Sequence, residues 1–201
     1  MRLARGLGMA LCSIALSFSC SPGAQGARPA AHPAWGIEQL MQRLAQIKSV
    51  RGEFVERKYL RILNAPIEFS GTLIYKAPGH LEKHTLLPKP QSLILVEDRL
   101  TIEDQTKKQR RTLKLQDYPV AWALVESIRS TLAGDLQALN RFYKVELEGS
   151  ETEWRLLLKP SEPAIQSMVN QIRISGAHHS IRVIEIVEAE GDRSVMTITG
   201  K

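Results

Sequence analysis

The sequence predicts a mainly β fold (α+β): one large antiparallel sheet, curled on itself, with few helices to cover it. Three observations carry this. From Arg51 to Thr199 most of the chain reads as short runs in which apolar and polar residues alternate. The gaps between runs are short, which suits antiparallel strands in series and excludes a regular strand–helix alternation. One long stretch, Pro119 to Leu139, breaks the rhythm with helical spacing. A sheet of about eleven strands must curl. Alternate side chains then line its concave face, and the helices can only cap the hollow. That geometry implies an apolar cavity under a helical lid.

The elements follow in order. Residues 1–26 read as a secretory signal peptide: Arg2 and Arg5, then the apolar stretch Leu7 to Phe18, then Ala24-Gln25-Gly26 as a small-x-small cleavage site before Ala27. The apolar stretch is short for a membrane span. A second reading stays open, because Ser17-Phe18-Ser19 before Cys20 forms a degenerate lipobox and would make Cys20 the lipidated N-terminus. Residues 27–34 are a Pro/Ala-rich tether without apolar period, and residues 35–201 form the folded domain. Trp35 to Ile47 is an amphipathic helix, with Trp35, Ile37, Leu40, Met41, Leu44 and Ile47 on one face.

The period then changes to two. Arg51 to Tyr59 alternates in charge around Phe54 and Val55. Pro66 to Tyr75 is the cleanest strand, with Ile67, Phe69, Gly71, Leu73 and Tyr75 on one face. Short strands follow at Leu81–Leu86, Ser92–Val96, Leu100–Glu103 and Arg111–Leu115. Pro119 to Leu139 reads as two helices broken at Gly134-Asp135. Strands resume at Phe142–Leu147, Trp154–Lys159, Met168–Ser175, Ile181–Ala189 and Val195–Thr199, separated by turns at Gly149, Gly176 and Gly191-Asp192.

Composition narrows the function. With 43 % hydrophobic and 24 % charged residues in 201, the chain is globular and large enough for one core. Both cysteines, Cys12 and Cys20, lie in the leader, which excludes a disulfide scaffold, a zinc ribbon and a cysteine nucleophile in the domain. The net charge of +6 falls to about +4 once Arg2 and Arg5 are removed, a mild excess that suits an anionic lipid surface or an acidic partner better than nucleic acid.

Three segments then carry a resemblance. Ser49-Val50-Arg51-Gly52-Glu53-Phe54-Val55-Glu56, Gly71-Thr72-Leu73-Ile74-Tyr75-Lys76-Ala77-Pro78 and Val187-Glu188-Ala189-Glu190-Gly191-Asp192-Arg193-Ser194 resemble, in order and spacing, the first strand, a Gly-x-Leu…Arg-Pro strand and turn, and the C-terminal hairpin of the LolA-like lipoprotein carriers. The resemblance spans Trp35 to Thr199. It implies an unclosed β-barrel with helices as lid, in a periplasmic protein that carries acyl chains of a lipoprotein or other lipidated cargo towards the outer membrane. An inner-membrane exporter and an outer-membrane acceptor would be its partners, and the carrier would be a monomer. The alternative is a receptor lipoprotein anchored through Cys20 that accepts such cargo. Two departures mark a divergent member: Ala77 replaces the arginine with which the family latches its lid, and Glu97-Asp98-Arg99-Leu100 lacks the family's mid-sheet tryptophan.

No catalytic, metal or cofactor site is expected. His80 and His84 share a strand face and His178-His179 sits at a turn, but no His-Glu-x-x-His occurs, nor a Gly-x-Ser-x-Gly elbow or a phosphate-binding glycine loop. The carboxylates Glu97, Asp98, Glu103 and Asp104 belong to solvated turns without the aromatics a sugar cleft favours. The expected ligand site is the apolar cavity and lid: Phe54, Ile67, Phe69 and Leu73 from the sheet, and Trp122, Val125, Ile128 and Leu132 from the helical insertion. Lys107, Lys108, Arg110 and Arg111 form a candidate docking patch at a hairpin tip, for lipid headgroups or an acidic partner. With Ala77 in the latch position, apolar contact is expected to be the main force closing the lid.

Overall fold

The computed structural model describes residues 35–200; the stretches read from the sequence as a signal peptide and a tether, with Cys20, lie outside the described residues. One helix, α1 (Ile37–Leu44), precedes six strands: β1 (Ser49–Tyr59), β2 (Ile67–Lys76), β3 (His80–Leu87), β4 (Gln91–Val96), β5 (Arg99–Asp104) and β6 (Gln109–Lys114). A 3₁₀ turn at Leu115–Asp117 leads into α2 (Pro119–Ala133) and α3 (Leu136–Leu139). Five more strands follow, β7 (Tyr143–Ser150), β8 (Glu153–Pro160), β9 (Val169–Ala177), β10 (Ser180–Glu188) and β11 (Arg193–Thr199), with a short helix α4 (Pro163–Gln166) between β8 and β9.

All eleven strands form one sheet in the order β6-β5-β4-β3-β2-β1-β11-β10-β9-β8-β7, every neighbour antiparallel. The chain meanders outward from β1 to the edge strand β6, and then inward from the other edge strand β7 to β11, which pairs with β1. β6 and β7 are the two free edges, so the barrel is not closed, and the segment that holds α2 and α3 runs from one edge to the other. The helix α4 was not anticipated from the sequence; Pro163 opens it and four residues leave no apolar period to read.

Register fixes the faces. Phe54 lies opposite Gly71 and Ile198, Gly52 opposite Leu73, and Leu73 opposite Lys83. Tyr75 faces Leu81, and Leu81 faces Leu95. These residues share the concave face, while Thr72, Ile74 and Glu82 lie on the other. The core fills only part of the hollow. Leu40, Met41 and Leu44 of α1 pack with Leu139, Phe142, Tyr143, Trp154, Leu156, Leu158, Ile172 and Ile174 over the β7–β9 side. Each Leu or Ile buried there contributes about 1.5–3 kcal/mol. The two termini of α2 are defined by Pro119 at its start and Gly134 at its end, where φ is +67°. A Cβ on Gly134 would come within 2.1 Å of the Met41 carbonyl oxygen, so glycine lets the end of α2 press onto α1.

Candidate functional site

Over strands β1 to β5 the hollow stays open beneath α2. It forms a cavity of about 830 Å³. Its walls are aliphatic: Leu73, Leu93, Leu95 and Leu100 from one half of the sheet, Ile181, Ile184 and Ile198 from the other. Arg43, Gln46, Lys48, Ser49, His179 and Ser180 also line it, and all are exposed. They cluster where α1 runs into β1 and where β9 turns into β10, so that end is the mouth.

The lid helix supplies Val125, Ile128 and Leu132, each half-buried and facing the cavity. The opposite side of the same helix is fully packed, and it is made of Ala123, Glu126, Ser127, Ser130 and Thr131. The polar groups on that side are satisfied within the helix. Ser127 donates to the Leu124 carbonyl at 2.7 Å, Thr131 to the Ser127 carbonyl at 2.6 Å, and Ser130 to the Glu126 carboxylate at 2.5 Å. The helix thus buries its small and polar side and turns its apolar stripe to the open space. That inverts the usual arrangement of an amphipathic helix on a core.

A polar clasp holds the lid to the sheet. The Arg129 guanidinium donates to the Glu97 carbonyl at 2.9 Å, in the β4–β5 turn, and pairs with Glu126 at 2.5 Å. Its aliphatic stem runs over Gly79, where a Cβ would come within 2.9 Å of it. The expectation that apolar contact would be the main force closing the lid therefore needs this addition. Ala77 does lack a guanidinium, but an arginine on the helix reaches the turns from the other side.

The eight ligand-site residues inferred from the sequence fall in three places. Leu73, Val125, Ile128 and Leu132 line the cavity. Phe54 is fully buried in the core, and Phe69 and Trp122 pack against that core. Trp122 meets the edge of Phe142, ring centroids 5.3 Å apart. Ile67 is half-buried at the start of β2, opposite Lys58. Counting 100° per residue, Trp122 falls about 60° outside the arc of Val125, Ile128 and Leu132. The basic residues lie elsewhere. Lys107 and Lys108 form the β5–β6 tip and Arg110 and Arg111 begin β6, all exposed, with Arg110 3.3 Å from Glu103. That tip is at the end of the sheet away from the mouth, since Gln91 pairs with Asp104 there while Leu95 pairs with Leu100 at the cavity.

One polar cluster was not read from the sequence. Glu56 of β1 is buried, ion-paired to Lys83 of β3, and accepts a hydrogen bond from Ser194 of β11 at 2.5 Å. The Lys83 ammonium also sits 4.9 Å from the Phe54 ring centroid and lines the cavity. Burial by itself pushes the Glu56 carboxyl up, but Lys83, the Ser194 hydroxyl and Lys58 outweigh it and hold the group below its ordinary value of 4.5. On the convex face Glu82 accepts from His80 and His84 at 2.6 and 2.7 Å, and these hydrogen bonds hold its carboxyl low as well. A carboxylate with a depressed folded pKa stabilises the fold above its unfolded value and loses that contribution as pH falls through the folded one. Urea midpoints should therefore fall on acidification below about pH 4.5, and Glu56→Gln should flatten that slope. An identical slope in the variant would remove Glu56 from the acid response. Among the described residues no group of three or more His, Cys, Asp or Glu is arranged to hold a metal ion, and no helix is long and apolar enough to cross a membrane.

A family model described as outer membrane lipoprotein carrier protein LolA-like matches residues 29–201. No curated protein matches the sequence. Among solved structures, the chain is similar to a LolA superfamily protein from Nitrosomonas europaea, at 11 % identity and a TM-score of 0.42, covering 83 % of this chain and 93 % of that one. It is also similar to LprF from Mycobacterium bovis, at 8 % identity and a TM-score of 0.35, covering 82 % of this chain and 91 % of that one.

Proposed function

The chain belongs to the LolA-like outer membrane lipoprotein carrier family, and from that premise we propose that it is an exported carrier which shelters acyl chains of a lipidated cargo in its cavity. The observation that supports this reading is the lid helix: Val125, Ile128 and Leu132 face an aliphatic hollow of about 830 Å³. Leaving three such side chains half-exposed forgoes stabilisation that a close-packed core would supply. An apolar guest supplies it instead. The volume falls in the range of about 300–1,000 Å³ typical of small-ligand sites, and the mouth leaves a headgroup or an attached polypeptide in water.

The protein is then a binding and transport protein without chemistry of its own. It works in the periplasm, taking cargo from an inner-membrane exporter and passing it to an outer-membrane acceptor. The Arg129 clasp sets how readily the lid lifts. Its two ends are a charged side chain and a turn carbonyl near the mouth, so a docking partner that competes for either would release it.

Native mass spectrometry of the protein purified from its host tests this reading. The expected result is a polypeptide that begins near Ala27, with a co-purified acylated molecule that a fluorescent fatty-acyl probe displaces at one per chain. A protein that carries no lipid and takes up no probe would overturn the carrier. A diacylglyceryl group on Cys20 would turn the reading into the anchored receptor.

A further inference from the structure

Among the described residues eight large apolar side chains are exposed, and four of them stand in two hairpin tips at the end of the sheet away from the mouth. Ile62, 88 % exposed, and Leu63 lie between β1 and β2; Leu86 and Leu87, the latter 63 % exposed, end β3. Neither the core nor the cavity uses these four residues. Single exposed aliphatics are ordinary on a protein surface. These are grouped, because β2 pairs with β3 and so makes the two tips neighbours. Two strand spacings, about 10 Å, separate them.

The charge beside them has one sign. Lys89 follows Leu87 by two residues, and the Gln105 N–H donates to the Pro90 carbonyl at 3.3 Å, which brings the β5–β6 tip with Lys107 and Lys108 alongside. All three lysines are exposed. The carboxylates of that hairpin are engaged, Glu103 by Arg110 and Asp104 by the backbone N–H of Lys107. Glu190 and Asp192 belong to the β10–β11 tip, on the far side of β1 from the lysines, where Asp192 accepts from the Arg61 N–H at 2.9 Å. An apolar group rimmed by cations marks a contact surface.

Its chemistry favours a lipid surface over a protein. The four side chains are aliphatic, without the Trp or Tyr that anchors protein interfaces. Pro66, Pro88 and Pro90 carry no N–H, so the tips have fewer backbone donors to strip of water on entering a headgroup layer. Aliphatic side chains flanked by lysines suit the interface of an anionic bilayer.

We propose that Ile62, Leu63, Leu86 and Leu87 enter the headgroup region of an anionic membrane, with Lys89, Lys107 and Lys108 on its phosphates. The protein then rests on the membrane by this end, with its mouth turned to the water and free for a protein partner. This contact is separate from the acyl cavity and does not depend on it.

The test is flotation with vesicles of an equimolar mixture of phosphatidylglycerol and phosphatidylcholine, against vesicles of phosphatidylcholine alone. The wild type should float with the anionic vesicles only, and added salt should weaken that binding. Replacing Lys89, Lys107 and Lys108 together by alanine should weaken it on the order of 100-fold, at about fivefold per lysine. Ile62→Ser combined with Leu87→Ser should weaken it about tenfold. Both sets of variants should still take up a fatty-acyl probe, since the altered side chains are exposed and outside the cavity. Saturating the wild-type cavity with that probe should leave flotation unchanged. The folded domain has no cysteine, so an environment-sensitive dye on Ile62→Cys reports depth, and its emission should shift to the blue on the anionic vesicles. No flotation of the wild type, equal flotation of the wild type and the variants, or a dye that stays in water overturns the membrane contact and leaves the tips to a protein partner. Flotation that is lost once the probe fills the cavity overturns it as well and assigns the bound lipid to the cavity.

Discussion

Lys83→Ala should lower the unfolding free energy by about 3–5 kcal/mol, the loss expected when one member of a buried ion pair is removed. The size follows from what remains. Glu56 is buried, with side-chain exposure of 12 %, and Lys83 is its sole ion-pair partner among the described residues. Ser194 alone cannot solvate a full negative charge. The carboxyl would respond by shifting upward, so the defect should be largest at neutral pH and should shrink as acid protonates Glu56. Replacing both partners with methionine should recover much of the loss, because apolar substitution of a whole pair leaves no orphaned charge. Denaturant midpoints across pH measure all three proteins. A single variant within about 0.5 kcal/mol of the wild type would mean that Glu56 is reached by water, and the cluster would then be a surface pair.

Leu73→Asp should abolish uptake of a fatty-acyl probe, with a loss on the order of 100-fold, because it sets a carboxylate against an alkyl chain in the apolar wall of the cavity. Leu73 lines the cavity and packs against the core, opposite Gly52 on one side and Lys83 on the other. The neighbouring ammonium tempers the cost to the empty protein, so binding should suffer more than stability. Thr72→Asp is the control. It is one residue away and on the other face of the sheet, opposite Glu53 and His84, so uptake should be kept. Equal uptake by wild type and Leu73→Asp would invert the assignment of every residue on β2.

The β2 pattern was legible because burial on one face imposes a period of two, and Ile67, Phe69, Leu73 and Tyr75 obey it. The same holds for the meander, whose short turns leave antiparallel neighbours as the only connection. The cavity itself was legible only in outline. Spacing of three and four put Trp122 with Val125, Ile128 and Leu132, yet a helix has 3.6 residues per turn, and the small rotation that separates Trp122 from the others sends its ring to Phe142. Side-chain type misled in the other direction for Glu56 and Lys83. They are 27 residues apart on strands of alternating charge, and nothing local distinguishes them from exposed neighbours such as Glu53 and Arg57. Ser194 completes the cluster from 138 residues away. Arg129 has the same history: a charged residue on a helix reads as surface until the β4–β5 turn is seen to arrive beneath it.

An unclosed sheet has two ends at which backbone N–H and C=O groups lack a neighbouring strand, here along β6 and β7. Such ends are templates on which a second copy could add its own strand and start a fibre. The composition of these two strands works against that. Arg110, Arg111 and Lys114 supply half of the six residues of β6, and all three are exposed. A second β6 brought alongside would set cation against cation. On β7 Lys144, Glu146 and Glu148 give the other end its charged side chains. Arg110 and Arg111 therefore have a use that needs no docking partner: they let a sheet remain open, with room for a guest, without polymerising through its own edges.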